Sequence, residues 1–127
     1  MKKELKTILY AEDDEDIRTI TTMALEAVGG FVLFSCSSGK EALEKAPRAA
    51  ADLILLDVMM PGMDGPETLK GLRKLPETSD VPVIFMTAKV QTSEIQQYKD
   101  LGAVDVIAKP FDPMTLSEQI KAIWSRL

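Results

Sequence analysis

The chain has 127 residues, 46% of them apolar, and a formal net charge of -5. That length holds one domain with a core and not two, expected over residues 1–127, and the composition excludes a disordered chain. There is no histidine and a single cysteine, Cys36, which excludes His-based catalysis, His metal ligands, a phosphohistidine on this chain and any internal disulfide.

The negative charge argues against a nucleic-acid surface, and the lone cysteine fits a reducing, cytoplasmic setting. The basic start, Met1-Lys2-Lys3-Glu4-Leu5-Lys6, leads into no apolar signal segment, and no apolar run nears the ~20 residues needed to span a bilayer. No membrane association is expected.

In chain order, Thr7 to Ala11 is a short apolar run that reads as a strand. It enters the acidic stretch Glu12-Asp13-Asp14-Glu15-Asp16, whose last three residues suit the first turn of a helix. Ile17, Ile20, Ala24 and Val28 give that helix its stripe, and Gly29-Gly30 ends it. Phe31 to Ser35 is the second strand. Ser38 and Glu41 form a capping box for a short helix stopped near Pro47.

Leu53-Ile54-Leu55-Leu56-Asp57 is an unbroken apolar strand closed by a carboxylate, then by the turn-forming Pro61-Gly62. Leu69, Leu72 and Leu75 predict a third helix after Asp64-Gly65, ended by Pro76, with a polar loop from Glu77 to Asp80. Val83 to Thr87 is the fourth strand. Ser93 and Gln96 cap a fourth helix bearing Ile95, Tyr98 and Leu101, closed by Gly102. Val104 to Ala108 is the fifth strand. Asp112-Pro113 starts the last helix, striped by Leu116, Ile120, Ile123 and Leu127.

Five strand–helix repeats predict an α/β fold, a five-stranded parallel sheet with helices on both faces. Right-handed crossovers and the usual order 2-1-3-4-5 put the switch point between strands 1 and 3, where ligands bind at the carboxyl edge. The polar residues at that edge are Glu12 and Asp13 after strand 1, Asp57 on strand 3, Thr87 on strand 4 and Lys109 after strand 5. Each alone has an ordinary reading: a solvated helix turn, a turn former, a strand residue, a surface charge. Their fall on one edge overturns those readings together.

Carboxylates brought that close repel unless a cation intervenes, and hard oxygen donors without His or Cys favour Mg²⁺. A carboxylate beside a cation, a lysine and a hydroxyl suits nucleophilic capture of a phosphoryl group.

With Glu12-Asp13, Asp57 followed by Met60-Pro61-Gly62-Met63-Asp64-Gly65, Thr87-Ala88 and Lys109-Pro110-Phe111, the chain resembles a response-regulator receiver domain of two-component signalling, from Lys6 to the last helix. The resemblance implies a phosphoacceptor in a phosphorelay rather than an enzyme, apart from slow self-dephosphorylation. It implies phosphorylation of Asp57. It also implies Mg²⁺ held by Asp13, Asp57 and the Met59 carbonyl, with Glu12 acting through water. Thr87 would move toward the phosphoryl group, Lys109 would pair with it, and the Lys109–Pro110 bond would be cis. Ala88 would leave the site open to a donor, and Met59 and Lys89 would flank the phosphoryl group and tune its lifetime.

The partners implied are a sensor histidine kinase or histidine phosphotransfer protein and a downstream protein target, with the chain monomeric or weakly dimeric. Many receivers carry Phe or Tyr in mid-strand 5, swinging inward with the Thr. Here that position is Val106, so any switch falls to Thr87 and the loop after it.

Three other functions compete. A flavodoxin-like nucleotide binder needs a phosphate-cradling loop where this chain has Glu12-Asp13-Asp14-Glu15. An aspartyl-phosphate hydrolase of the haloacid dehalogenase kind needs a second Asp where this chain has Met59. A receiver that is never phosphorylated would act only as a binding module. The chain reads as a stand-alone regulator or as one domain of a larger protein.

Overall fold

The computed structural model describes residues 3–127; the first two residues of the basic start lie outside it. Five parallel strands form one sheet: β1 (Thr7–Ala11), β2 (Val32–Cys36), β3 (Leu53–Asp57), β4 (Val83–Thr87) and β5 (Asp105–Ala108). Their order is β2-β1-β3-β4-β5, as expected. The register pairs Ala11 with Leu56 and Asp57 with Met86, so the polar strand ends lie level along one edge.

Helices α1 (Glu15–Met23) and α5 (Leu116–Ser125) cover one face, and α2 (Gly39–Ala49), α3 (Gly65–Arg73) and α4 (Thr92–Asp100) the other. Both faces of β3 are therefore buried, and every residue from Leu53 to Asp57 is inaccessible. Side chains alternate across the sheet. Ile8, Tyr10, Leu53 and Leu55 pack toward α1 and α5, while Leu9, Ile54, Leu56 and Phe85 pack toward α2 and α3. Burying each large aliphatic side chain is worth about 1.5–3 kcal/mol, so this double core dominates the fold's stability.

Several local expectations need correction. β2 begins one residue later than predicted, because Phe31 turns inward and its N–H is spent on the Leu25 carbonyl. β5 likewise begins at Asp105 rather than Val104. Helix α1 runs on into one wide π turn, Ala24–Val28. The buried face is Thr21, Ala24 and Leu25; the extra residue of that turn carries Val28 out of the stripe, and Ile20, ahead of the turn, is exposed as well.

Helix α2 passes Pro47, which sits in its last full turn, and stops at Ala50 in the left-handed conformation (φ 49°). Ser38 accepts from Glu41 N–H as predicted, but Glu41 reaches back to Ser37 rather than to Ser38.

Helix α3 ends at Arg73, ahead of Pro76. The polar loop after it is tied down by the Arg73 guanidinium, which donates to the Thr78 and Val81 carbonyls. Helix α4 starts two residues early, capped at Gln91 rather than Ser93, with Glu94 accepting from Gln91 N–H in place of the Ser93/Gln96 cap. Leu101 and Leu127, predicted as core, are exposed. Asp112 opens a separate turn, accepting from Met114 N–H, and α5 proper begins at Leu116.

Candidate functional site

The cleft at the carboxyl edge of β1, β3 and β4 is lined by Glu12, Asp13, Asp14, Ile17, Asp57, Met59, Thr87, Ala88 and Lys109. The five polar residues expected at this edge, Glu12, Asp13, Asp57, Thr87 and Lys109, all line it, as does Met59.

Glu12 leaves β1 while the sheet still holds its backbone, its N–H donating to the Cys36 carbonyl at 3.0 Å. Its side chain is 1% exposed. Asp13, next along, is exposed. Asp14 then turns the chain into α1, its carboxylate accepting from Ile17 N–H at 2.9 Å. One residue the sequence reading did not single out fastens this turn: Arg18 Nη1 donates to the Glu12 carbonyl at 2.8 Å and the Asp13 carbonyl at 3.4 Å. Its signal was available, since an arginine one turn into a helix can reach back to the loop that precedes it.

Asp57 is 3% exposed. The backbone after it is clamped by α3: Gly65 N–H donates to the Val58 carbonyl at 2.9 Å. A Cβ at Gly65 would lie 2.7 Å from the Asp57 carbonyl oxygen and 2.9 Å from Val58 Cα, so only glycine permits this approach. Gly62, at φ +79°, makes the turn between them.

Lys109 enters from β5. Its N–H donates to the Thr87 carbonyl, and its ammonium lies 2.7 Å from Asp57 Oδ1 and 2.8 Å from Glu12 Oε1. The Lys109–Pro110 bond is cis, as the resemblance implied. Thr87 is 2% exposed, and its hydroxyl accepts from Lys89 N–H at 3.1 Å. Met59 projects from the cleft wall, 67% exposed.

Electrostatics follow from this crowding. Burial pushes the Glu12 carboxyl up to about 7, with Lys109 opposing and Asp57 adding to the rise. Burial pulls the Lys109 ammonium down, but its contacts with Asp57 and Glu12 win and its pKa is raised. Burial, with a smaller push from Glu41 and against Lys45, raises the Cys36 thiol to about 11, which makes it an inert core residue.

One lysine facing three carboxylates leaves net negative charge. Oxygens of Glu12, Asp13 and Asp57 lie within 4.8 Å of one another, close enough to share an ion. All are hard oxygen donors, so the set fits a small divalent cation such as Mg²⁺.

The model of the response regulator receiver domain family matches residues 8–121. The chain belongs to that family. Receiver domains are the phosphoacceptor modules of two-component signalling. The chain is 39% identical over 121 residues to the alkaline phosphatase synthesis transcriptional regulatory protein PhoP of Bacillus subtilis, covering 95% of this chain and 49% of PhoP. It is 36% identical over 121 residues to the phosphate regulon transcriptional regulatory protein PhoB of Pseudomonas aeruginosa, covering 95% of this chain and 52% of PhoB. The receiver thus spans about half the length of these curated relatives.

Among solved structures, the chemotaxis response regulator CheY4 of Vibrio cholerae superposes with a TM-score of 0.86 at 30% identity, covering 94% of this chain and 99% of CheY4. The receiver domain of the Francisella response regulator 1452 gives 0.83 at 30% identity, covering 95% and 98%. Among the described residues, no helix of this receiver is long and apolar enough to cross a membrane.

Proposed function

We propose that Asp57 takes a phosphoryl group from a phosphohistidine on a partner protein. The observation that carries this is the Lys109 ammonium bridging Asp57 and Glu12 at 2.7 and 2.8 Å within an open acidic cleft. An Asp57 oxygen attacks phosphorus as the P–N bond to the donor imidazole breaks; the imidazole leaves with the electron pair and takes up a proton. Asp13, Asp57 and the Met59 carbonyl would hold Mg²⁺, with Glu12 acting through water. When bound, the ion neutralises charge building on the phosphoryl oxygens. Lys109 does the same from the β5 side and keeps Asp57 oriented. Thr87 donates its hydroxyl to a phosphoryl oxygen once it turns from Lys89, and Ala88 leaves the approach open.

The donor is a sensor histidine kinase or a histidine phosphotransfer protein. An apolar groove of Ile17, Ile20, Phe111 and Pro113 opens directly beside Lys109 and suits a donor helix carrying the phosphohistidine. Residues 1–127 act as one receiver unit, cytoplasmic, monomeric or weakly dimeric, that signals to a downstream protein and does not bind nucleic acid by itself. Its chemistry stops at accepting the group and slowly losing it. No external phosphoester is turned over.

The test is labelling by a small phosphodonor, or capture of beryllofluoride, with Mg²⁺ present. The parent should take up label and Asp57→Asn should not. Equal labelling of the variant sinks the assignment.

A further inference from the structure

Helix α4 is the least anchored helix of the fold: it buries no residue completely. The apolar side chains it turns inward are Ile95 and Tyr98, both half-buried. The Tyr98 ring meets Phe85 edge-to-face, centroids 5.4 Å apart and planes at 79°. Phe85 is fully buried on β4, pairs in register with Val106 on β5, and shares a cluster with both Val106 and Tyr98. Thr87 stands two residues beyond Phe85 on the same strand, hence on the same face of the sheet.

The loop from β4 to α4 is held at Thr87 as well, because the Thr87 hydroxyl accepts from Lys89 N–H at 3.1 Å. Thr87 is therefore linked to α4 twice, through the loop and through the Phe85–Tyr98 packing. Val106 supplies no ring on this face, whereas α4 does.

We infer that Tyr98 is the positioning residue that couples Thr87 to helix α4, carrying from the helix side the readout that Val106 cannot carry from β5. The inference rests on the phosphoacceptor reading of Asp57. If Thr87 turns to the phosphoryl group, Lys89 N–H loses its acceptor and the loop is released. Phe85, locked in the core, cannot follow, so the adjustment falls on the Tyr98 edge contact, and α4 shifts on it. An edge-to-face aromatic contact has a preferred geometry, so a shift of the helix changes the surroundings of the Tyr98 ring.

The experiment separates the two readings. Fluorine NMR of bound beryllofluoride, with Mg²⁺, reports occupancy at Asp57. Ring signals of Tyr98, assigned by their loss in Tyr98→Phe, report the contact, and amide exchange from Ile95 to Asp100 reports α4. The parent should bind beryllofluoride, shift its Tyr98 ring signals and change α4 exchange by about fivefold or more, a range open to local unfolding equilibria. Tyr98→Phe should respond like the parent, because the ring and not the hydroxyl makes the contact. Tyr98→Ala should still bind beryllofluoride while its α4 exchange changes by less than about twofold, and Val106→Tyr added to it should restore the response.

Occupancy without a shift of the parent's Tyr98 signals overturns the inference and leaves the phosphoacceptor reading standing; that result needs no variant to fold. An α4 response kept in Tyr98→Ala also overturns it. No bound beryllofluoride in the parent overturns both.

Discussion

Lys109 and Asp57 are 52 residues apart in sequence, and their charged groups meet at 2.7 Å at the carboxyl edge of the sheet. The same ammonium lies 2.8 Å from Glu12 Oε1, so one cation serves two nearly inaccessible carboxylates.

That sharing predicts the effect of Lys109→Gln. Without the ammonium, Glu12 and Asp57 confront each other with no counter-charge in the ion-free protein. Breaking a buried pair by removing one partner costs about 3–5 kcal/mol, and the partial exposure of Lys109 places this case near the lower end. Urea unfolding without divalent ions should show that loss. Adding Mg²⁺ should stabilise the variant more than the parent, since the ion takes over the charge the lysine carried.

The raised Glu12 carboxyl predicts a pH dependence. Its ordinary value is 4.5 and its folded value about 7, so between these the folded state binds more protons than the unfolded one. Stability of the ion-free protein therefore falls as pH rises from about 4.5 to about 7, the contribution from Glu12 being full below this window and gone above it. Loading of Mg²⁺ has the opposite trend, because Glu12 must shed its proton. Apparent Mg²⁺ affinity should weaken by up to about tenfold per pH unit below the Glu12 pKa. Titration at pH 6 and pH 8 checks this, and a pH-independent affinity would remove Glu12 from the ion site.

Gly65→Ala tests the α3 clamp. The new methyl would sit 2.7 Å from the Asp57 carbonyl oxygen, and backbone on both sides leaves no flexible group to yield. Overpacking of this kind costs about 1–3 kcal/mol. Unfolding should show that loss, and Mg²⁺ binding should weaken with it because Asp57 is displaced.

Arg18→Gln tests the acidic turn. Its guanidinium holds the Glu12 carbonyl at 2.8 Å, a charge-assisted bond worth about 1.5–3 kcal/mol. Part of that loss should appear as Mg²⁺ affinity reduced several-fold, with the helical circular dichroism spectrum unchanged. Unaltered affinity would show that the turn keeps its shape without Arg18.

Much of this was legible in one dimension. Alternating apolar runs place β3 and β4 to the residue, since strands buried on both faces have an unbroken apolar signature that polar residues terminate. Hence Asp57 and Thr87 stand out as strand-end residues from the chain alone. The helix boundaries were less legible. Asp64 and Glu67 form a full capping box, whereas at α4 the Ser93/Gln96 pattern gives way to Gln91 and Glu94, although Ser is the stronger N-cap residue.

Local patterning by itself determined the element types, the parallel class and the identity of the edge residues, because each depends only on side-chain period and turn chemistry. Tertiary structure decided what acts across long separations. It set the sharing of Lys109 between Glu12 and Asp57, the π turn that moves Val28 off the buried face, and the packing of Tyr98 on Phe85. Those features arise where side chains distant in sequence compete for the same space and charge, and no local window of the chain contains that competition.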